Sequence, residues 1–421
     1  MQKETFTLSL QPQRFAALQP IKTWSLHGFL LFLPASIAFA QICLSLLALT
    51  YLAEALTTRT LAIPRTPINR PLLSYLLVTL VATLFSTDVL TSVGELKGLL
   101  MIGVFYLVYL SITDLRQLRR LTALLIVYVT LAALYGILQH YLEVDLFRLS
   151  RPISFLKHVD DDLTAPVRVS GFLSYMTFSG HLAMTLPILC AYGLTLNQQR
   201  HKLLTALAGI LIGLALLWTY TRSGWLGAAC GLTVLVLYPR RKHWTILLLL
   251  LCLLLIVIGV QPKLLDRSLS VFSAKENLER LYTWDSTLVM ILDYPLTGIG
   301  KGNYSTLAPS YRTGYDLDFS SRAHAHNNIL QVAVEGGIPS LLCFLWLWGV
   351  IFRTQYQTFR RLPDTDTTLK PLSLGFLGAT VAFFIQGFFE HNFGDSEAVM
   401  MLWLIIALSF KLPEFAGEKP R

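Results

Sequence analysis

Long apolar runs separated by short polar clusters make up most of the chain between residues 24 and 410. A helix needs roughly 17–25 apolar residues to cross a bilayer. Read against that length, the runs predict spans at Trp24–Leu33, Ser36–Leu56, Leu72–Ser86, Val93–Ile112, Leu121–Tyr141, Phe172–Leu194, Leu203–Trp218, Trp225–Tyr238, Trp244–Val260, Ile329–Phe352, Leu372–Phe389 and Val399–Phe410. The first two form a tight hairpin broken at Pro34. The expected fold class is all-α: a polytopic membrane protein of about twelve transmembrane helices.

The polar connections set the orientation. With the N-terminus cytoplasmic, every second connection carries a basic cluster, among them Arg59/Arg65/Arg70, Arg116/Arg119/Arg120, Arg200/Lys202, Arg240/Arg241/Lys242 and Arg353/Arg360/Arg361/Lys370. That alternation follows the positive-inside bias and puts both termini in the cytoplasm. Two segments on the other side are too long to be plain connectors. Leu142–Gly171 contains the acidic run Asp160-Asp161-Asp162. Gln261–Asn328 is rich in Tyr, Trp and Arg and contains the turn Gly298-Ile299-Gly300-Lys301-Gly302-Asn303. The expected organisation is 1–260 with helices one to nine, 261–328 as an extracytoplasmic loop region with short amphipathic helices, and 329–421 with helices ten to twelve.

Composition narrows the class further. Hydrophobic residues make up 54% of the chain and charged residues 14%, with a mean hydropathy of +0.57. A soluble domain runs nearer a quarter charged, so a soluble enzyme and a disordered chain are both excluded. The net charge of +9 does not point to nucleic acid, because Lys and Arg sit in short clusters between apolar runs. The five cysteines all fall inside apolar runs without metal or redox spacing. No small-residue cleavage site follows a short apolar core near the start, so the first run is expected to stay as an anchor.

Candidate chemistry gathers at the end of the long polar segment. In His324-Ala325-His326-Asn327-Asn328-Ile329-Leu330-Gln331, followed by Glu335-Gly336-Gly337, Asn327, Gln331 and Glu335 recur at i, i+4 and i+8. On a helix they share one face. A polar stripe entering a membrane helix is expensive and usually faces a cavity. His326, at its mouth, reads in three ways: a general base for a hydroxyl near neutral pH, a metal ligand with His324, or a helix cap. No further ligand cluster accompanies the two histidines. Three arginines stand near span boundaries on the same side: Arg168, Arg222 and Arg280. Arg is suited to fork-shaped recognition of phosphate, and the alternative for each is an interfacial side chain snorkelling to water. Glu390-His391-Asn392-Phe393-Gly394-Asp395 ends the eleventh span and reads either as cavity lining or, more simply, as a polar cap between two spans.

Three motifs together resemble the O-antigen ligase family and the related O-antigen polymerases. They are His-x-His-Asn-x-x-Leu-Gln-x-x-x-Glu-x-Gly at His324–Gly337, Thr221-Arg222-Ser223-Gly224-Trp225-Leu226-Gly227, and Arg280 followed by Tyr294-Pro295-Leu296-Thr297-Gly298-Ile299-Gly300. Thr221 and Ser223 depart from the usual Ser and Gly, and Pro339-Ser340 stands where a second Gly often follows. Neither departure removes a titrating group.

The resemblance implies an inverting, metal-independent glycosyltransferase that uses no cofactor. Its donor would be a glycan on undecaprenyl diphosphate and its acceptor the sugar core of lipid A, joined on the periplasmic face of a bacterial inner membrane. By the motif match His326 is the base, with His324 second to it. Arg168, Arg222 and Arg280 hold the diphosphate, and Asn327, Gln331 and Glu335 support the loop. The alternative within the class is a polymerase joining lipid-linked repeat units. A polysaccharide transporter or flippase fits less well, because no internal repeat is visible and the polar residues collect on one face.

Overall fold

The computed structural model describes residues 18–60, 63–147, 157–159, 165–238, 259, 261–269, 274–312 and 323–416, without the side chains of 274–276. Helices are the only extended regular elements among the described residues, with one isolated antiparallel bridge between His158 and Val167.

The apolar runs become helices. α1 (Leu18–Phe32) and α2 (Ile37–Thr58) make the hairpin expected at Pro34. α3 (Asn69–Leu84) follows, and then a broken element: α4 (Val89–Glu95), a 3₁₀ stretch (Leu96–Ile102) and α5 (Gly103–Ser111). α6 (Leu115–Leu142), α7 (Tyr175–Leu194), α8 (Gln199–Trp218) and α9 (Arg222–Thr233, extended by 3₁₀ to Leu237) complete the first part. Trp244–Val260, read as the ninth span, lies outside the described residues.

The long polar segment holds α10 (Pro262–Leu269), α11 (Ala274–Asp293) and α12 (Tyr304–Tyr311). Two of these are short, as expected, but α11 runs to 20 residues. The last helices are α13 (Asn328–Arg361), α14 (Leu369–Gln386) and α15 (Ser396–Lys411).

Among the described residues, seven elements are long and apolar enough to cross a membrane: Ile37–Thr58, Val89–Ser111, Leu115–Leu142, Gln199–Trp218, Asn328–Arg361, Leu369–Gln386 and Ser396–Phe415. Asn69–Leu84 and Arg222–Leu237 are apolar but shorter. The chain is thus a multi-pass helical membrane protein, with fewer unambiguous spans than the twelve read from the sequence. Shortness explains α1, α3 and α9. α7 is long enough but is diluted by Thr177, Ser179, His181 and Thr185.

α14 and α15 form the centre and are buried on nearly every side. α7 and α9 pack on α14. Small residues permit the approach: a Cβ at Gly231 would lie 2.5 Å from the Gly378 carbonyl oxygen, and one at Gly378 equally close to that of Gly231. Such contacts replace the hydrophobic drive that is absent between helices in lipid. On the rim, α2 exposes Phe39, Ile42, Leu46, Leu49 and Leu52, an outward face that suits hydrocarbon and not water.

Chain direction puts the start of α13, the end of α14 and the start of α15 at one end of the bundle. The starts of α7 and α9 and the ends of α6 and α8 lie there too. The remote end collects Arg116, Arg119 and Arg120 of α6, Arg200 and Lys202 of α8, Arg360 and Arg361 of α13, Lys370 of α14 and Lys411 of α15.

Candidate active site

The candidate site is built on a broken helix. α13 has helical geometry on both sides of Gly337, which sits at φ 71° and ψ −179°. Only glycine takes that conformation without strain. The break frees backbone groups that would otherwise go unpaired in a low-dielectric interior. The turn Pro295–Gly302 satisfies them. Ile299 N donates to Val334 O at 2.8 Å, Gly300 N to Glu335 O at 2.9 Å, and Ile338 N to Pro295 O at 2.8 Å. Gly298, Gly300 and Gly302 all have positive φ, and a Cβ at Gly298 would lie 2.5 Å from the Glu335 backbone. The glycine-rich motif is therefore a plug for the helix break.

The same plug claims the polar stripe. Glu335 Oε1 accepts from Gly302 N at 3.2 Å and from Gln331 Nε2 at 2.9 Å. Gln331 Oε1 accepts from Ala325 N, between the two histidines, at 2.7 Å. Lys301 Nζ stands 3.7 Å from Glu335 Oε2, whose charge raises the lysine pKa against the burial that lowers it. The shared face expected for Gln331 and Glu335 is present, and it buttresses the histidine loop. Asn327 lies outside the helix as its N-cap, with Oδ1 accepting from Ile329 N and Leu330 N at 2.8 and 3.2 Å.

His326 has φ 50°, a left-handed geometry uncommon for a residue with a Cβ. Its neighbour Ala325 fixes it from both sides, since Trp284 Nε1 of α11 donates to Ala325 O at 3.0 Å. The twist turns His326 toward the loop after α14. There its Nδ1 meets Glu390 Oε2 at 3.2 Å, and Arg280 Nη2 of α11 donates to Glu390 Oε1, also at 3.2 Å. The side chains of Arg280, Glu390 and His326 are 22%, 8% and 11% exposed, so this ion pair is largely withdrawn from solvent.

The hydrogen bonds assign the tautomers. A carboxylate only accepts, so His326 Nδ1 carries a proton and donates it to Glu390. His324 is arranged the other way: its Nδ1 accepts from His326 N at 3.4 Å, which leaves the proton on Nε2. The two rings lie 4.2 Å apart between centroids.

His391 completes a cluster, its ring 5.4 Å from that of His324. Burial pushes its pKa well below the ordinary histidine value, and Lys301, His324 and His326 push it the same way. It is held neutral. Its loop is tied to the start of α13, where Asn328 Nδ2 donates to Asn392 Oδ1 at 2.6 Å and Asn328 N to Gly387 O at 2.7 Å. A cavity of about 260 Å³ opens here, lined by His324, Glu390, His391, Asn392 and Asp395 with Gly180 of α7. Among the described residues no three His, Cys, Asp or Glu side chains group as metal ligands.

Two of the three arginines meet at α11. Arg222 opens α9, and its Nη2 donates to Asn277 Oδ1 of α11 at 3.2 Å. Asn277 and Arg280 are one turn apart on α11. The small residues of the Arg222 motif seat the helix that carries it: a Cβ at Gly224 would touch Ser179 of α7 at 2.9 Å, and one at Gly227 the Ala382 carbonyl of α14 at 2.6 Å. Arg168 is buried beside the end of α8. Val169 N donates to Trp218 O at 2.8 Å, and the guanidinium lies 4.4 Å from the Tyr175 ring centroid. Nearby Tyr220 has its phenol pushed up to about 12 by burial, with Arg168 acting in the opposite sense.

Arg280 thus bonds a buried carboxylate, a contact not foreseen for a residue expected to hold a diphosphate. Glu390 and His391, for which the sequence offers either cavity lining or a polar cap, both line the cavity. The available signal was an acid and a histidine adjoining a membrane helix, where ionisable groups are rarely idle.

This is a helical membrane protein with a buried Arg–Glu–His relay and further arginines at one end of the bundle. Residues 207–345 match the family model described as Wzy_C, O-antigen ligase. The match includes Arg222, Arg280, both motif histidines, Gln331 and Glu335. Arg168 and Glu390 lie outside it. No curated protein matches the chain.

Proposed function

We propose that this protein is an O-antigen ligase, an inverting glycosyltransferase of the inner membrane that moves O-antigen polysaccharide from undecaprenyl diphosphate to lipid A-core on the periplasmic face. The observation that carries the reading is the Arg280–Glu390–His326 relay beside a cavity walled by His324. An acceptor hydroxyl placed against His326 Nε2 gives up its proton there as its oxygen attacks the anomeric carbon. The bond from that carbon to the diphosphate oxygen breaks on the opposite side, which inverts the centre and releases undecaprenyl diphosphate.

Glu390 holds the ring in the accepting tautomer and stabilises the imidazolium that forms. Arg168 and Arg222 supply fixed positive charge where charge develops on the leaving group. Arg280 acts from both sides, anchoring Glu390 and facing the same end of the bundle. His324 donates from Nε2 to the donor or acceptor sugar. Asn327, Gln331 and Glu335 keep the loop rigid, and no cofactor takes part.

The basic clusters at the remote end support a cytoplasmic placement of that end, with twelve spans, both termini inside and residues 261–328 in the periplasm. Two experiments test the reading. A deletion strain should accumulate long polymer on the carrier and show bare core on a lipopolysaccharide gel; core bearing one repeat unit would instead mark a polymerase. With purified protein, His326→Ala should remove roughly 10²–10⁴-fold of single-turnover transfer while carrier binding persists. His324→Ala should be milder. A dead His324→Ala beside a normal His326→Ala would assign the base to the other ring.

A further inference from the structure

A transferase between two lipids must hold two amphiphiles together, and the bundle has a second cavity that the relay does not use. It measures about 880 Å³. Its partition from the histidine cavity is the segment 392–399, whose residues alternate between the two. Asn392, Asp395 and Ala398 line the first, Phe393, Ser396 and Val399 the second, and Gly394 both. The second cavity runs between α2, the 3₁₀ break and α5, with Leu44, Leu99, Leu107 and Trp403 in its wall. A 3₁₀ stretch inside a membrane span often marks function, and here it shapes this wall.

The charge pattern separates the occupants. No arginine is among the described residues lining either cavity, so the cationic fork that a diphosphate calls for is nearest the first, where Arg280 bonds the lining Glu390, and not the second. Its lysines are matched by carboxylates: Lys97 stands 3.2 Å from Glu95 and Lys301 3.7 Å from Glu335. Arg280 bonds Glu390 on the other side of the partition.

Resting on the glycan-transfer reading, we propose that the second cavity is the acceptor site, holding the acyl chains of a glycolipid with its sugar hydroxyls directed over Gly394 toward the histidines. The balanced polar end, with Glu95, Lys301 and the Tyr75 hydroxyl, suits neutral hydroxyls; the apolar wall suits hydrocarbon.

Two glycines make the test clean. Gly98 and Gly103 both line the cavity, and a Cβ added at either meets nothing within 4 Å. Gly98→Leu and Gly103→Leu therefore fill space without a clash at the backbone. Gly94→Leu is the control: it also meets open space, on the same broken element but outside the cavity lining. The probe is a synthetic diacyl glycolipid acceptor, with binding to the full chain measured without donor. Donor binding and transfer are then measured separately.

Gly98→Leu and Gly103→Leu should weaken acceptor binding by about tenfold or more while Gly94→Leu and all donor binding stay near wild type. Acceptor binding unchanged in both lining variants overturns the assignment. Weakened donor binding with acceptor binding intact also overturns it, and gives the cavity to the carrier chain. If the wild type binds acceptor with this pattern yet transfers nothing, the transferase reading fails and the lipid site stands.

Discussion

Replacing Glu390 by glutamine is the sharpest perturbation of the relay, because it changes charge and tautomer while keeping shape. Glu390 bridges Arg280 and His326 at 3.2 Å each and is 8% exposed. With a carboxylate 3.2 Å away, a forming imidazolium gains about 5 kcal/mol at an effective dielectric near 20. Glutamine removes that attraction. Its carbonyl oxygen serves Arg280, so its amide nitrogen faces His326 and donates. His326 must then accept at Nδ1 and carry its proton on Nε2, the nitrogen that should take the hydroxyl proton. Losing a working general base costs roughly 10²–10⁴-fold in rate, about 3–5 kcal/mol of barrier. The assay is single-turnover transfer at saturating donor and acceptor, with donor affinity measured in parallel. Glu390→Gln should lose turnover within that range and keep donor affinity within a few fold. Full turnover would refute the relay. Intact turnover with collapsed donor affinity would reassign Glu390 to holding Arg280 for binding alone.

Arg222→Lys keeps the charge but loses the fork, and should raise the barrier by roughly 2–4 kcal/mol, about 30- to 1000-fold in rate; near wild-type turnover would make Arg222 a snorkelling side chain. Gly337→Ala puts a Cβ 2.5 Å from the Leu296 backbone at a φ of 71°, and a thermal midpoint unchanged from wild type would refute the plugged-break account, since strain of this kind costs about 1–3 kcal/mol. Because His391 is buried neutral, its folded pKa lies below the unfolded value of about 6.5, so its contribution is present above that pH and lost as pH falls below it; His391→Asn should flatten the acid side of the stability curve, and an unaltered acid limb would count against it. Reporter fusions after residue 364 should read cytoplasmic and those at residue 310 periplasmic; matching signals at the two positions would defeat the proposed topology.

Periodicity and run length made most helices legible. Eleven of the twelve apolar segments fall on described helices, and Pro34 marks the first turn. What run length could not supply was the status of each helix as a span. α7 packs inside the bundle with His181 and Ser179 fully buried, so its polar residues face protein and dilute the signal that lipid exposure would have required. The site residues were legible by type: His326, His324, Gln331 and Glu335 do gather at one helix start. Their partners were not. Glu390 is 64 residues from His326 and Asn277 is 55 from Arg222. No local spacing encodes such pairs, which exist only because α11 and the loop after α14 reach the same end of the bundle.

The glycine-rich turn carries a wider consequence. A glycine-rich turn such as Gly298-Ile299-Gly300-Lys301-Gly302 can hold an anion only where its amides are left to point at it. In the structure Ile299 N and Gly300 N are already bonded to the carbonyls of Val334 and Glu335, and Gly302 N to the Glu335 carboxylate. The turn has little left to offer a diphosphate. It makes possible a helix that is open at Gly337 and still satisfied, which membrane interiors tolerate only when protein covers the break. The break sits a few residues past Gln331 and Glu335, the two side chains that pin Ala325 and with it the geometry of His326. The glycine motif and the histidine motif are thus one mechanical unit: the first closes the backbone of the second, and His326 is aimed by a helix that is allowed to be broken.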